Sequence, residues 1–320
     1  MDILEGLSRS LMQLLLVILG LIIGLILLVR GADEMVKSAV HIAQKYKIPQ
    51  SVVGAGYVGF GTSAPEWVAS TVAVLQEDLS LAIGNIIGSN IANSLLVLSV
   101  MFLLLGQNLN KKMNLNLVAS MWMMGITLLF ISGYFIFTGF SRLLGIVLLI
   151  FMAFAIRALI SEESNLDEDS INLAPVNNLP LRSLLSVVAT IYGSKLVVDN
   201  AIELASIFNI SSLVVGVVVV AFGTSLPEVV STISAAKINK PEIVFGNIFG
   251  SNLFNIGLVG GTSIIIAPGK VEFEIQYQLL TMLIASLFVV ILSKQDISKN
   301  TKIIGLGLLA LYSLFIFSLF

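Results

Sequence analysis

This sequence predicts an all-α membrane protein, ten transmembrane helices in two inverted five-helix repeats. Three observations predict it. Of the 320 residues, 57% are hydrophobic and only 11% are charged, and apolar runs of about 20 residues, each enough to cross a bilayer core, recur from end to end. A pair of motifs occurs twice. Gly61-Thr62-Ser63-Ala64-Pro65-Glu66 and Gly84-Asn85-Ile86-Ile87-Gly88-Ser89-Asn90-Ile91-Ala92-Asn93 return as Gly223-Thr224-Ser225-Leu226-Pro227-Glu228 and Gly246-Asn247-Ile248-Phe249-Gly250-Ser251-Asn252-Leu253-Phe254-Asn255, at a constant offset (228 − 66 = 162, 255 − 93 = 162). Each half holds five spans, an odd number, so the second half crosses the membrane in the opposite sense.

Hydropathy places the spans in order. The first runs from about Leu11 to Val29. An amphipathic extension continues to Gln44, with Val36, Ala39, Val40 and Ala43 spaced to share one face. The first span has no basic flank or cleavage site and is expected to be a retained helix, not a signal peptide. The second, Ser51 to Val74, carries the first Pro-Glu, and the third, Leu81 to Leu105, the first Gly-Asn motif. The fourth covers about Leu115 to Phe135 and the fifth Ser141 to Leu159. Glu162, Glu163, Asp167, Glu168 and Asp169 then mark a solvated linker. The sixth span, Leu181 to Val198, has its own extension to Ile207. The seventh is Ser211 to Ala236, the eighth Ile243 to Ala267, the ninth Gln276 to Leu292 and the tenth Lys302 to Phe320. The expected organisation is a first repeat over 1–160, an acidic cytoplasmic linker over 161–180 and a second repeat over 181–320. Similarity between the halves extends upstream of the motifs, pairing Gly31 with Gly193, Val36 with Val198 and Gly54 with Gly216.

Orientation follows from basic residues, which favour the cytoplasmic side. With the N-terminus outside, only Arg9, Arg142, Lys195 and Lys270 of the 17 lysines and arginines fall in external segments. Both termini are then extracytoplasmic, in a multi-pass protein of the cell membrane. The first helix extension, with Lys37, Lys45 and Lys47, lies inside, and its equivalent, with Asp199 and Glu203, lies outside.

The duplicated motifs carry the chemistry. A charged side chain in a membrane helix costs roughly 2.5–3.5 kcal/mol, so Glu66 and Glu228 point to function. Neither has a structural counter-ion in view, because no Lys, Arg or His occurs in the apolar parts of the spans that carry the motifs. Proline lacks an N–H and clashes with the carbonyl four residues back. The sequence therefore predicts a broken helix with freed carbonyls at Gly61 and Gly223, beside the hydroxyls of Thr62 and Ser63. Freed carbonyls are tolerated where they line a cavity or bind something. Such an all-oxygen set suits hard cations such as Ca²⁺ and Na⁺. Paired sites in matching halves are the signature of a transporter. Ser89 and Asn93, four apart, add a hydroxyl and an amide to one helix face. Gly84 and Gly88 suit close helix approach, and Asn85 and Asn90 suit interhelical bonding or capping. The chain has no cysteine, and its single histidine, His41, lies in the first extension. Thiolate and imidazole metal sites are thus excluded, and an intramembrane serine hydrolase would lack a base. A cation channel is the remaining rival class, although a fused inverted pair around one site suits alternating access better.

The paired signatures resemble the α-repeats of the Ca²⁺/cation antiporter superfamily, the sodium/calcium exchangers and their prokaryotic relatives, over nearly the whole chain. The resemblance implies an antiporter, not an enzyme, that exports Ca²⁺ in exchange for Na⁺ by alternating access and without a cofactor. It implies Ca²⁺ binding by Glu66 and Glu228 with the carbonyls of Thr62 and Thr224. It also implies Na⁺ binding by Ser63, Ser89, Ser225 and Ser251 with the glutamates and the carbonyls of Gly59 and Ala221, and amides lining the site at Asn93 and Asn255. Relatives with Asp at the place of Asn255 include a K⁺-dependent branch, and proton-coupled relatives tend to carry Glu in the Gly-Asn motif. This chain has neither, which favours Na⁺ coupling over the H⁺-coupled or K⁺-dependent alternative. The implied partners are Ca²⁺, Na⁺ and the lipid bilayer, with no nucleic acid and no obligate protein partner.

Overall fold

The computed structural model describes residues 2–105, 117–161, 177–208, 221–271, 275–294 and 300–318, which are helical almost throughout. Helix α1 (Asp2–Tyr46) is one uninterrupted rod. The first span and its extension are therefore continuous, and Val36, Ala39, Val40 and Ala43 are all buried, as their common face requires. Helix α2 joins Gln50–Val53, a π-helical turn at Gly54–Val58 and Gly59–Leu75. Helix α3 joins Leu79–Ala92, a π-helical turn at Asn93–Val97 and Leu98–Leu105. Asp78 caps it, accepting the Leu81 amide at 2.8 Å, a standard use of an aspartate at a helix start. Then follow α4 (Leu117–Ile136), α5 (Arg142–Ile160) and α6 (Leu179–Ile207). Helix α7 is split into Ala221–Thr224 and Leu226–Lys237. Helix α8 joins Pro241–Phe254, a π-helical turn at Asn255–Gly260 and Gly261–Ile266. Helices α9 (Gln276–Lys294) and α10 (Thr301–Phe317) complete the chain. Of the expected linker, residues 162–176 lie outside the described residues, as do 211–220 of the seventh span and the two residues before it.

Six of these rods, α1, α3, α4, α5, α6 and α8, are long and apolar enough to cross a membrane. Their outward faces carry large apolar side chains, such as Leu15, Leu16 and Leu19 on α1 and Ile150 and Phe154 on α5. The polar residues are inside: Thr62, Glu66, Ser89, Asn93, Glu228, Ser251 and Asn255 are all buried. In water that distribution would be reversed. In lipid it is expected, since polar side chains within membrane spans face the bundle interior.

Glycine contacts show the inversion. Along the α1–α6 seam, Gly20 meets Asn200, Gly24 meets Leu196 and Val197, and Gly31 meets Thr190. The two rods thus run antiparallel, and they are equivalent helices of the two halves (193 − 31 = 162). Helices α2 and α8 instead run parallel, with Gly54 beside Ile243 and Gly59 beside Gly250. A Cβ on Gly246 or Gly250 would overlap the backbone of Ser51 or Ala55, so only glycine allows this approach. An antiparallel bridge between Phe140 and Gly269, with N–H···O distances of 2.8 and 2.9 Å, puts the ends of α4 and α8 on one face, as an even number of crossings between them requires.

The predicted proline break occurs in one copy only. Ser225 interrupts α7, whereas Gly59–Leu75 stays α-helical with Pro65 inside it. Proline removes one backbone bond and crowds one carbonyl, and a helix surrounded by others can absorb that with a small adjustment. In α2 the irregularity sits upstream, in the π-helical turn at Gly54–Val58.

Candidate cation site

Four packed helices carry the motif residues, and they bring Thr62, Ser63 and Ser251 together around Glu228. Helix α2 brings Thr62, Ser63 and Glu66, α7 brings Thr224, Ser225 and Glu228, and α3 and α8 bring Ser89, Asn93, Ser251 and Asn255. Glu66 and Glu228 are each 1% exposed, and Glu66 lies within range of the Glu228 charge. The Glu228 carboxylate lies beside the hydroxyls of Thr62, Ser63 and Ser251, yet none of these makes a well-formed hydrogen bond to it. All four carboxylate oxygens lack a hydrogen-bond partner, as do Ser63 Oγ, Ser225 Oγ, Asn93 Oδ1 and both amide atoms of Asn255.

An unsatisfied buried polar group costs about 1–3 kcal/mol, and a charged one more. A cluster of them is anomalous in a folded protein and calls for a ligand. These atoms are nearly all acceptors, so what they lack is positive charge. No basic side chain lines the four motif segments. Among the described residues there is no group of three or more His, Cys, Asp or Glu that could hold a metal. Any cation here must combine two carboxylates with neutral hydroxyl, amide and carbonyl oxygens, a donor set for hard ions.

Two asparagines, Asn85 and Asn247, brace the site; for Asn85 the sequence suggested only interhelical bonding or capping. The Asn247 Oδ1 atom lies 3.1 Å from Thr62 Oγ1, while its Nδ2 donates to Ser231 Oγ at 3.1 Å. Ser231 in turn donates to the Glu228 carbonyl at 3.0 Å. In the other half, Thr224 Oγ1 donates to Asn85 Oδ1 at 3.5 Å. Asn85 Nδ2 donates to Ser70 Oγ at 2.9 Å and lies 3.4 Å from the Glu66 carbonyl. Each asparagine therefore ties the threonine of one half to the glutamate helix of the other. The signal for this was the repeated Gly-Asn dipeptide, but its partners could not be read from sequence.

The backbone oxygens are differently engaged. The Gly59 carbonyl lies 3.3 Å from Thr62 Oγ1 and 3.4 Å from Ser251 Oγ, and those two hydroxyls are 3.1 Å apart. The carbonyl freed by Pro227, that of Gly223, accepts from Ser194 of α6 at 3.4 Å. The first half has Ala32 at the equivalent of Ser194 and offers no such hydroxyl. Ser89 is buried on α3. Ala221 opens the short first segment of α7.

Paired carboxylates, one from each inverted repeat, among neutral oxygens and on interrupted helices define a secondary transporter of cations. The chain belongs to the sodium/calcium exchanger family, whose model, described as sodium/calcium exchanger protein, matches residues 16–160 and 179–320. It is 34% identical over 270 residues to Inner membrane protein YrbG of Escherichia coli (strain K12), covering 79% of this chain and 80% of that protein. It is 30% identical over 319 residues to Sodium/calcium exchanger MaX1 of Methanosarcina acetivorans, covering 85% and 89%. Its fold matches a structure of the sodium-calcium exchanger NCX_Mj soaked with Na⁺ and Sr²⁺, with a TM-score of 0.79 and 29% identity over 95% of this chain and 99% of that one. The chain is thus a multi-pass membrane protein of an exchanger family.

Proposed function

We propose that this protein is an electrogenic Na⁺/Ca²⁺ antiporter that exports Ca²⁺ by alternating access. The observation that carries the proposal is the buried pair Glu66 and Glu228, whose four oxygens have no protein partner. Two carboxylates match the charge of one Ca²⁺, and the carbonyls of Thr62 and Thr224 complete that ion's shell. Na⁺ uses the same glutamates with Ser63, Ser89, Ser225, Ser251 and the carbonyls of Gly59 and Ala221. Asn93 and Asn255 line the site as neutral amides. Asn255, in place of an aspartate, argues against K⁺ dependence, and Ser89 and Ser251 supply no third carboxylate, which favours Na⁺ over H⁺ as the coupling ion. The repeats are 1–160 and 181–320, joined by a cytoplasmic linker, with both termini outside. Helices α1 and α6, equivalent and outside the four-helix core, are the pair that moves.

Two Na⁺ would neutralise the carboxylates, and the neutral oxygens offer room for a third. The Na⁺-loaded carrier then holds one net positive charge, worth about 2.3 kcal/mol per 100 mV of membrane potential. The test is ⁴⁵Ca²⁺ flux in proteoliposomes under an imposed Na⁺ gradient, with a valinomycin-set potential and with H⁺ and K⁺ gradients as controls. Flux driven by Na⁺ and accelerated by a potential that favours Na⁺ entry is expected. Flux indifferent to Na⁺ would overturn the coupling, and flux indifferent to the potential would overturn the third Na⁺.

A further inference from the structure

Asn93 and Asn255 stand at equivalent positions, each opening a π-helical turn. Their amides are held very differently. Asn93 Nδ2 donates to Asn252 Oδ1 at 3.2 Å. Asn252 Nδ2 donates in turn to Ser94 Oγ at 3.0 Å and approaches Met123 Sδ at 3.5 Å. Asn255 has no partner at either amide atom, and Asn90, the residue that matches Asn252, turns its Nδ2 back to the Ile86 carbonyl of its own helix at 2.7 Å.

A side-chain amide has one face that attracts a cation and one that repels it. Rotating it by half a turn exchanges oxygen for NH₂ with almost no change in shape. An asparagine that lines a cation site must therefore be told which way to point. In this structure the direction is imposed by a one-way chain of donors. Met123 Sδ can only accept, so it fixes the Asn252 NH₂ on its side, where Ser94 Oγ accepts as well; the Asn252 oxygen is then the atom that faces Asn93. Asn93 can satisfy that oxygen only with its own NH₂, so its Oδ1 is the atom left over, buried and without a protein partner.

We infer that Asn252 is a positioning residue for the exchanged ions: it fixes the Asn93 amide so that oxygen, not nitrogen, is presented to them. The inference rests on the reading of Asn93 as a site-lining amide. It also makes the two halves functionally unequal, since the Asn93 amide has a set polarity and the Asn255 amide does not.

The experiment is a double-mutant cycle on the full-length protein, read by equilibrium ⁴⁵Ca²⁺ binding and its displacement by Na⁺, with thermal unfolding in ion-free buffer as the folding check. Asn252→Leu is expected to weaken binding of the ions about tenfold, the scale of one misdirected hydrogen-bonding group. Ser94→Ala, which loosens the anchor while keeping Asn252, should shift binding in the same direction by less, and it serves if Asn252→Leu does not fold. An aspartate at 93 has two equivalent oxygens and needs no orientation. In the Asn93→Asp background the further change Asn252→Leu, or Ser94→Ala in its place, should therefore alter binding less than about twofold, a near-null coupling. Equal losses in both backgrounds would overturn the inference and make Asn252 merely structural. Unchanged ion binding in Asn93→Leu would overturn the reading of Asn93 itself, and the inference with it. A loss in Asn93→Leu with wild-type binding in Asn252→Leu would overturn the inference alone.

Discussion

Replacing Glu228 with glutamine should abolish Ca²⁺ binding while leaving the protein as stable without ions as before, or more so. The carboxylate is buried near Glu66 and makes no well-formed hydrogen bond, so in the ion-free state its charge, wherever it is present, stabilises nothing. Glutamine keeps the shape, removes the charge and brings an NH₂ that the hydroxyls of Thr62, Ser63 and Ser251 can accept. Toward Ca²⁺ the effect is opposite, because half the charge that balances the ion is gone. Removing one member of a buried charge pair costs roughly 3–5 kcal/mol, about 10²–10⁴-fold in affinity at about 1.4 kcal/mol per factor of ten. A ligand at a hundred times its Kd stabilises the folded state by about 2.7 kcal/mol. Thermal unfolding of detergent-purified protein, with and without Ca²⁺, reads both effects. Wild type should gain Tm with Ca²⁺, and Glu228→Gln should start at an equal or higher Tm and gain nothing. Glu66→Gln should behave alike. Undiminished Ca²⁺-dependent stabilisation in either variant would refute the assignment of these carboxylates.

Other expectations follow from the same geometry. Ser89→Ala and Ser251→Ala should weaken the Na⁺ dependence of exchange several-fold more than they weaken Ca²⁺ binding, as measured by Na⁺ titration of ⁴⁵Ca²⁺ uptake; an unchanged Na⁺ response in both would break that division of labour. Asp33 of α1 accepts a hydrogen bond from Ser234 of α7, and the chain has no native cysteine. A cysteine pair placed at 33 and 234 should therefore tie the moving pair to the core and stop transport, and reduction should restore it. Full transport by the oxidised protein would show that these helices do not separate. Gly250→Leu should destabilise the fold by roughly 1–3 kcal/mol or more, because its Cβ would overlap the Ala55 backbone; a Tm equal to wild type would mean α2 and α8 are not so closely packed.

Much of the fold was legible in the sequence because lipid leaves few choices. A crossing must be a helix or part of a closed barrel, apolar runs of about 20 residues select the helix, and two copies of one motif reveal the repeat. The glutamates were legible because burying them has no structural motive. Other features left no local mark. Hydropathy registers the change of surroundings along α1 but not whether the helix stops, so one rod read as two parts. The proline rule identified the Gly223 carbonyl as free but not the Ser194 hydroxyl that takes it. The bracing by Asn85 and Asn247 was not legible because their threonine partners lie 139 and 185 residues away. The π-helical turns at Gly54–Val58, Asn93–Val97 and Asn255–Gly260 have no compositional signature.

The length of α1 has a consequence beyond the ion site. Its 45 residues make a rod of ~68 Å at 1.5 Å per residue, against about 30 Å of hydrocarbon. Such a rod leans, projects into the surrounding water, or does both. Joined to α6 along the glycine seam, it cannot change its inclination alone. Inclination is what a bilayer sets by its thickness, at fractions of a kcal/mol per Å of mismatch. If α1 and α6 rock during exchange, the lipid acts as a spring loaded by each turnover. Exchange rates in proteoliposomes of lengthening acyl chains should then pass through an optimum, and a flat response would show that the pair moves without changing its tilt.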